Sequence, residues 1–319
     1  MRRRRKVPSF PPSPRDPAAA PPEAPSGRRK RRRRRRRGAK AGSGSAAQKN
    51  SHSYSLAFED AELLRRDALR PVRLQLEMWK TDLILREHGI RSTVAIFGST
   101  RITDRKTAQA RISRAEAELA RDPGNPALVK EVEVARSLLA KSRYYDEARR
   151  FAATVSAYSL SVSCREFVIV TGGGPGIMEA ANRGAQDVGA KSIGLNIRLP
   201  FEQEPNPYVT PQLCFQFRYF AIRKMHFLMR AKALVAFPGG YGTLDEFFDI
   251  ITLIQTGKVK AIPVILFGSE FWSRTVNFEF LQAEGTISPE DLRLFRISDS
   301  AEDAWRIIRD FYSLREPAR

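Results

Sequence analysis

Short apolar runs alternate with amphipathic stretches along most of this chain. TVAIFGS (93–99), a β-branched run, and FVIVT (167–171), SIGLNI (192–197), ALVAF (233–237) and IPVILF (262–267), further short apolar runs, are five to seven residues long. Runs of this kind, with little polar alternation, are the mark of strands buried on both faces, as in parallel sheets. Between them apolar residues recur at helical spacing. LEMWKTDLILREHGI (76–90) reads as a lead-in helix closed by Gly89, and RYFAIRKMHFLMRAK (218–232) as a helix before the fourth run. LDEFFDIITLIQTG (244–257) follows that run, and AEDAWRIIRDFY (301–312) is an amphipathic closing helix. The alternation predicts an α/β fold, a doubly wound, Rossmann-like parallel sheet with helices on both faces. Residues 106–163 carry two long helical patterns broken by Asp122-Pro123-Gly124-Asn125-Pro126, a strong turn signal. They predict a helical hairpin inserted after the first strand, at about residues 103–141.

The first 50 residues break the pattern. They hold 18 of the 55 basic residues against only Asp16 and Glu23, and ten of those cations form an unbroken run over 28–37. Ten like charges repel each other and almost nothing apolar offsets chain entropy, so a disordered basic tail is expected over residues 1–52, followed by one domain over 53–319. The net charge of +20 therefore belongs mostly to the tail, since the remaining 269 residues carry a net of only +4. Nonspecific nucleic-acid contact through the tail is one reading; without aromatic residues interleaved for base stacking, a solvated extension is the other. Eight prolines argue against the amphipathic helix of a transit peptide, and no apolar stretch follows the basic start as in a secretory signal. A cytoplasmic location is expected, with no membrane contact. With 42% hydrophobic residues the chain can bury a sizeable core, while two cysteines and three histidines give neither a disulfide framework nor a structural zinc site.

The informative residues stand where strands become helices. FVIVT runs into Gly172-Gly173-Gly174-Pro175-Gly176, and ALVAF into Pro238-Gly239-Gly240-Tyr241-Gly242-Thr243. Glycines there let backbone N–H groups approach an anion, and a helix N-terminus adds about half a positive charge. Two such turns at the carboxyl ends of strands predict a phosphate-bearing ligand. The dinucleotide pattern G-x-G-x-x-G fails at both, because Glu179 and Asp245 fall where its third glycine belongs, and neither a P-loop nor a G-x-S-x-G elbow occurs. A mononucleotide is the economical choice. Asp245, Glu246, Asp249 and Thr252 follow the second turn. At 3.6 residues per turn, 245, 249 and 252 share a face and Glu246 is offset by about 100°. Acids at a helix N-terminus also compensate its dipole, and a Mg²⁺ site built from them is a further alternative. Arg223 and Lys224, on the preceding helical stretch, are placed to reach the same crevice; as surface cations they would need no function.

Pro238-Gly239-Gly240-Tyr241-Gly242-Thr243-Leu244-Asp245-Glu246 resembles the PGGxGTxxE motif of the LOG ("lonely guy") family. Gly98-Ser99 after the first strand, the triple glycine at 172–174 and the Arg223-Lys224 pair extend the resemblance over about residues 90–312. Sequences of this kind also carry the description lysine decarboxylase, but nothing here resembles a pyridoxal-phosphate lysine site. GIME in place of GLMG after the glycine turn, the RYFAIRK segment and the helical hairpin look closer to the longer bacterial branch than to the plant pattern.

The resemblance implies hydrolysis of the N-glycosidic bond of a nucleoside 5′-monophosphate, AMP or a cytokinin riboside 5′-monophosphate, to free base and ribose 5-phosphate, as in AMP nucleosidases. It places the catalytic arginine on Arg223 and the catalytic acid on Glu246. Substrate contacts fall on Gly98, Ser99, Gly172, Gly173, Gly174, Lys224, Gly239, Gly240, Tyr241, Gly242, Thr243, Leu244, Asp245 and Thr252, with Glu202 matching a further family glutamate. No metal or organic cofactor is implied. A non-catalytic nucleotide carrier, or a molybdenum-cofactor-type carrier on the same fold, is the alternative. The stretches around Arg223 and Glu246 are apolar over more than the roughly 100° that one sheet face buries, which predicts a homodimer or larger even homo-oligomer; cover by the hairpin or the closing helix is the rival explanation.

Overall fold

A computed structural model of the chain describes residues 45–200 and 204–314. The expected tail thus lies almost wholly outside the described residues, and so does Glu202. The described residues fall into two units, divided between Leu56 and Ala57. In the first, the described part is a single helical turn, α1 (Ala46–Lys49), and a 3₁₀ turn at His52–Tyr54.

The second unit is built on seven strands: β1 (Thr93–Phe97), β2 (Val168–Thr171), β3 (Ser192–Ile197), β4 (Cys214–Phe217), β5 (Ala231–Ala236), β6 (Val264–Phe267) and β7 (Arg296–Ser298). They form one sheet in the order β4-β3-β2-β1-β5-β6-β7, and every neighbouring pair is parallel. The order runs outward one way from β1 to β4 and the other way from β5 to β7, so the connections reverse between β1 and β5. Two of these strands, β4 and β7, have no counterpart among the runs read from sequence. Both are edges. In β4 the residues alternate, with Phe215 and Phe217 buried and Gln216 exposed, and β7 is three residues long with Arg296 and Ile297 exposed. An edge strand has no need of the continuous apolar run that marks a central one.

The helices are α2 (Ala61–Arg65), α3 (Arg70–Glu87), α4 (Arg105–Arg121), α5 (Pro126–Ala140), α6 (Arg143–Ser161), α7 (Ile177–Asp187), α8 (Phe220–Met229), α9 (Tyr241–Gln255), α10 (Ser269–Thr275), α11 (Phe278–Ala283) and α12 (Ala301–Tyr312). Successive strand residues point to opposite faces. Val94 and Ile96 of β1 join a core with Phe151 of α6, Ile177 of α7 and Ile308 of α12. Ala95 and Phe97 join a second core with Leu85 of α3, Phe227 of α8 and Phe247 of α9. The sheet is thus doubly wound, as the alternation of runs predicts. The hairpin α4/α5 packs on itself around Ile112, Ala115, Val132 and Ala135.

Two helical readings are corrected. The second arm of the 106–163 pattern is two helices, because i→i+3 bonds from Lys141 to Leu138 and from Ser142 to Leu139 tighten the chain between α5 and α6. No proline or glycine marks that break. The 218–232 stretch is helical only to Met229, since Ala231 pairs with Thr93 and begins β5.

Candidate active site

The carboxyl ends of β2, β1 and β5 lie side by side, and three loops leave them toward one cleft. The loops are tied together by the backbone: Phe237 N–H donates to Phe97 O (2.9 Å), Ser99 N–H to Pro238 O (3.0 Å) and Ile177 N–H to Ser99 O (3.1 Å). This is the crevice at a reversal of strand order where ligands of open α/β sheets bind. Gly176 sits at φ 73°, and a Cβ there would meet Ser99 O at 2.4 Å. Only glycine lets the second loop close against the first.

The two glycine turns differ in what they leave free. In the first, Gly173 N–H donates to Thr171 Oγ1 (2.9 Å), Gly173 O accepts from Asn206 N–H (2.8 Å) and Gly174 O accepts from Asn206 Nδ2 (3.0 Å). Gly172 lines the cleft; Gly173 and Gly174 do not. The second turn opens into α9 with Gly240 at its cap and no capping side chain among the described residues. Gly240 O takes the N–H groups of Thr243 and Leu244, which leaves those of Tyr241 and Gly242 without a protein acceptor among the described residues. A Cβ on Gly240 or Gly242 would meet nothing within 4 Å, whereas one on Gly239 would strike Thr243 Oγ1 at 2.1 Å. Gly239 serves the fold; Gly240 and Gly242 leave the helix N-terminus open, the arrangement that attracts an anion.

The floor of the cleft carries the charge. Arg223 reaches in from α8 with its Nη2 3.4 Å from Glu246 Oε1, and the two side chains are only 15% and 4% exposed. The guanidinium also lies over the rings of Phe220 (5.2 Å) and Phe227 (5.6 Å), and its Nε has no partner among the described residues. Burial dominates both groups. It pushes the Glu246 carboxyl up to about 7 despite the attraction of Arg223 and Lys224, and it holds Arg223 below its usual value despite Glu246. Beside this pair, from the adjoining residues, Lys224 Nζ binds Asp245 Oδ1 at 2.7 Å and lies 3.9 Å from Asp249 Oδ2. Burial works to lower the Lys224 ammonium, but these carboxylates outweigh it and raise it.

The cleft has a volume of about 890 Å³ and brings together Gly98, Ser99, Gly172, Arg223, Gly240, Tyr241, Gly242, Thr243 and Glu246. Of the other expected residues, Lys224 and Asp245 pair with each other and do not line it, and Leu244 packs against the core. Thr252 is exposed, donates to Phe248 O and does not line the cleft. The sequence reading passed over a second wall formed by Arg101, Met178, Asn196, Phe220, Cys214 and Gln216. Asn196 Nδ2 donates to Phe215 O (3.2 Å) and so turns the amide across the β3–β4 boundary. Gln216 belongs to an edge strand that the sequence pattern does not mark, and Asn196, with Ser192 one of two polar residues in SIGLNI, is the only local signal. Among the described residues no group of three or more His, Cys, Asp or Glu side chains is placed to hold a metal ion.

A family model described as "Possible lysine decarboxylase" matches residues 178–308, which include Arg223 and α9. A cytokinin riboside 5′-monophosphate phosphoribohydrolase of Arabidopsis thaliana is 31% identical over 96 residues, 30% of this chain and 45% of that protein. A second of the same description and organism is 27% identical over 158 residues, 48% of this chain and 71% of that protein. A probable one from Oryza sativa subsp. japonica is 26% identical over 172 residues, 51% of this chain and 74% of that protein. The chain spans less than half the length of the first of these relatives. A solved structure of a Moco carrier protein from Chlamydomonas reinhardtii is 16% identical, covering 70% of this chain and 98% of that one, at a TM-score of 0.40. That score is too low to favour a carrier.

Proposed function

We propose, from the premise that this chain is a relative of the LOG family, that it hydrolyses the N-glycosidic bond of a nucleoside 5′-monophosphate. AMP or a cytokinin riboside 5′-monophosphate plus water gives the free base and ribose 5-phosphate. The observation that carries this reading is the buried Arg223–Glu246 pair beside an uncapped helix N-terminus in the same cleft. Taking two charges out of water costs several kcal/mol per ion, a cost that a carrier needing only to hold its ligand has no reason to bear.

The 5′-phosphate docks on the Tyr241 and Gly242 N–H groups, and that remote binding energy positions the ribose over Glu246. As the bond to the base breaks, positive charge develops on the sugar. Ionised Glu246 stabilises it and takes a proton from the attacking water, the two carboxylate tasks of glycoside chemistry, and that proton passes to the departing base, which leaves neutral. Arg223 holds Glu246 in place and donates to the ribose hydroxyls or phosphate. Arg101, Asn196 and Gln216 are among the polar groups left to face the rest of the nucleotide.

The test is release of ribose 5-phosphate from purified protein offered AMP, a cytokinin riboside 5′-monophosphate, other mononucleotides and adenosine. Release from a monophosphate, with adenosine far slower, supports the reading. No ribose 5-phosphate from any nucleotide overturns it, and equal rates on AMP and adenosine overturn the role given to the helix N-terminus.

A further inference from the structure

A second cleft, of about 350 Å³, opens at the other end of the strands. Val264, the first residue of β6, and Arg296, the first of β7, both line it, whereas the nucleotide cleft lies beyond the strands' carboxyl ends. Its body is apolar: Ile254 from the last turn of α9, Ile262, Leu294, Phe295, and Ile307 and Phe311 from α12. Among the described residues its charged groups are Arg293, Arg296, Arg306 and one acid, Asp310. Asp310 is already engaged, with Oδ2 3.4 Å from Arg306 Nη1, and Arg306 also binds Asp303. Arg296 Nη1 donates to the carbonyls of Arg293 (3.0 Å) and Phe295 (3.1 Å), which fixes the turn that forms the rim. Among the described residues neither Arg293 nor Arg296 has a carboxylate partner.

With Arg306 held by Asp303 and Asp310, the guanidinium groups of Arg293 and Arg296 are the ones that give the described part of this hollow a positive rim over an apolar floor. Its volume lies within the roughly 300–1,000 Å³ of small-molecule sites. Guanidinium groups in pairs match the planar, forked geometry of carboxylate, sulfonate or phosphate oxygens. The cleft has neither a helix N-terminus nor an Asn or Gln among its lining residues, the features that suit the first cleft to a nucleotide. We propose that this second cleft binds a small organic anion, its aromatic or aliphatic body against Phe295, Ile307 and Phe311 and its anionic group between Arg293 and Arg296. The site is separate from the nucleotide site: Ile254 lines one cleft and Glu246 the other, eight residues apart on α9, about 12 Å along the helix.

The probe is 1-anilinonaphthalene-8-sulfonate, an aromatic anion whose fluorescence rises on transfer to an apolar surface, titrated into the full chain. The expected result is one saturable site whose Kd rises at least about tenfold in R293E/R296E and in F311S, while the uncharged N-phenyl-1-naphthylamine binds at least about tenfold more weakly to the unchanged chain. The basic tail is the same in all three proteins and cancels from the comparison. Both variants change exposed side chains, and an unchanged circular dichroism spectrum and melting temperature certify their fold. Unchanged probe affinity in R293E/R296E overturns the proposal, as does equal affinity for the uncharged probe. Loss of probe binding as protein concentration rises also overturns it, since the cleft would then be a contact between copies of the chain. None of these readings uses nucleotide hydrolysis, so they stand whether or not the first cleft is an active site.

Discussion

Arg223 and Glu246 approach to 3.4 Å, yet each is shifted toward its neutral form, the acid upward and the base downward. Burial of the two charges outweighs their attraction. A carboxylate held so far from water is stabilised strongly by any positive charge that appears beside it, which is what cleavage of an N-glycosidic bond supplies. The pair is therefore better placed to meet a developing cation than to strengthen the fold.

Glu246→Gln keeps the shape of the side chain and removes its charge. Turnover should fall at least about a hundredfold, the usual cost of one transition-state electrostatic contact at about 2.7–4 kcal/mol, while KM for the nucleotide changes little. Steady-state kinetics on AMP check it, and near-normal turnover would remove Glu246 from the mechanism.

The same carboxyl sets a pH dependence. Its ordinary value of 4.5 is raised to about 7, and the proposed reaction uses the ionised form, so kcat/KM should rise with pH and reach half its plateau near 7. Stability runs the other way. The folded carboxyl holds its proton more tightly than the unfolded one, so its contribution is fully present below about 4.5 and is lost as pH rises through about 7. The melting temperature of the parent chain minus that of Glu246→Gln should therefore decline between those values. A flat difference would mean that Glu246 titrates normally.

Gly240 and Gly242 should be separable from the glycines that the fold needs. Alanine at 240 or 242 meets no neighbour within 4 Å, so melting should hold while KM for a nucleoside monophosphate rises at least about tenfold. Gly98→Ala would put a Cβ 2.6 Å from Ile177, and overpacking of that kind costs about 1–3 kcal/mol. Thermal melts beside AMP kinetics distinguish the two groups. An undisturbed KM in both Gly240→Ala and Gly242→Ala would take the phosphate off this helix terminus.

The sequence discloses what is local and withholds what depends on distant contacts. The five central strands are legible because burial on both faces leaves runs such as TVAIF and ALVAF; CFQF and RIS, at the edges, lack that pressure. The offset of Glu246 from Asp245 is legible from helical period, and the two do diverge, one inward to Arg223 and the other outward to Lys224. The difference between the glycine turns is not legible. It depends on Asn206, more than 30 residues beyond Gly173, accepting the role of tying that turn down. Asn196 and Gln216 reach the cleft through sheet order, which no local motif encodes.

Removing residues 1–50 should leave nucleotide hydrolysis intact and abolish most salt-sensitive binding to nucleic acid. The 269 residues that remain carry a net charge of only +4, which provides little long-range attraction. Filter binding to RNA across a salt series checks it, with tight binding by the truncated chain at moderate salt as the contrary outcome.

The chain should be a homodimer or a larger even assembly through the α3–α8 surface. On α8, Phe227 enters the core, but Phe220, Met225 and Met229 remain about half exposed. Helix α3 lies against α8 and adds Val72, Leu76, Trp79 and Leu83, spaced i, i+4, i+7 and i+11, so that one continuous apolar stripe runs along its outer side. The closing helix does not cover this surface, because α12 packs on the opposite sheet face, and the inserted hairpin closes on its own small core. A two-fold pairing of identical patches is the commonest way to bury such a stripe. Since α8 also carries Arg223, assembly should steady the site. Trp79→Glu, a surface change that removes nothing from either core, should dissociate the assembly and lower activity at micromolar concentration, with activity recovering as protein concentration rises. Light scattering on the tail-deleted chain decides the matter, and a fully active monomer contradicts the shared surface outright.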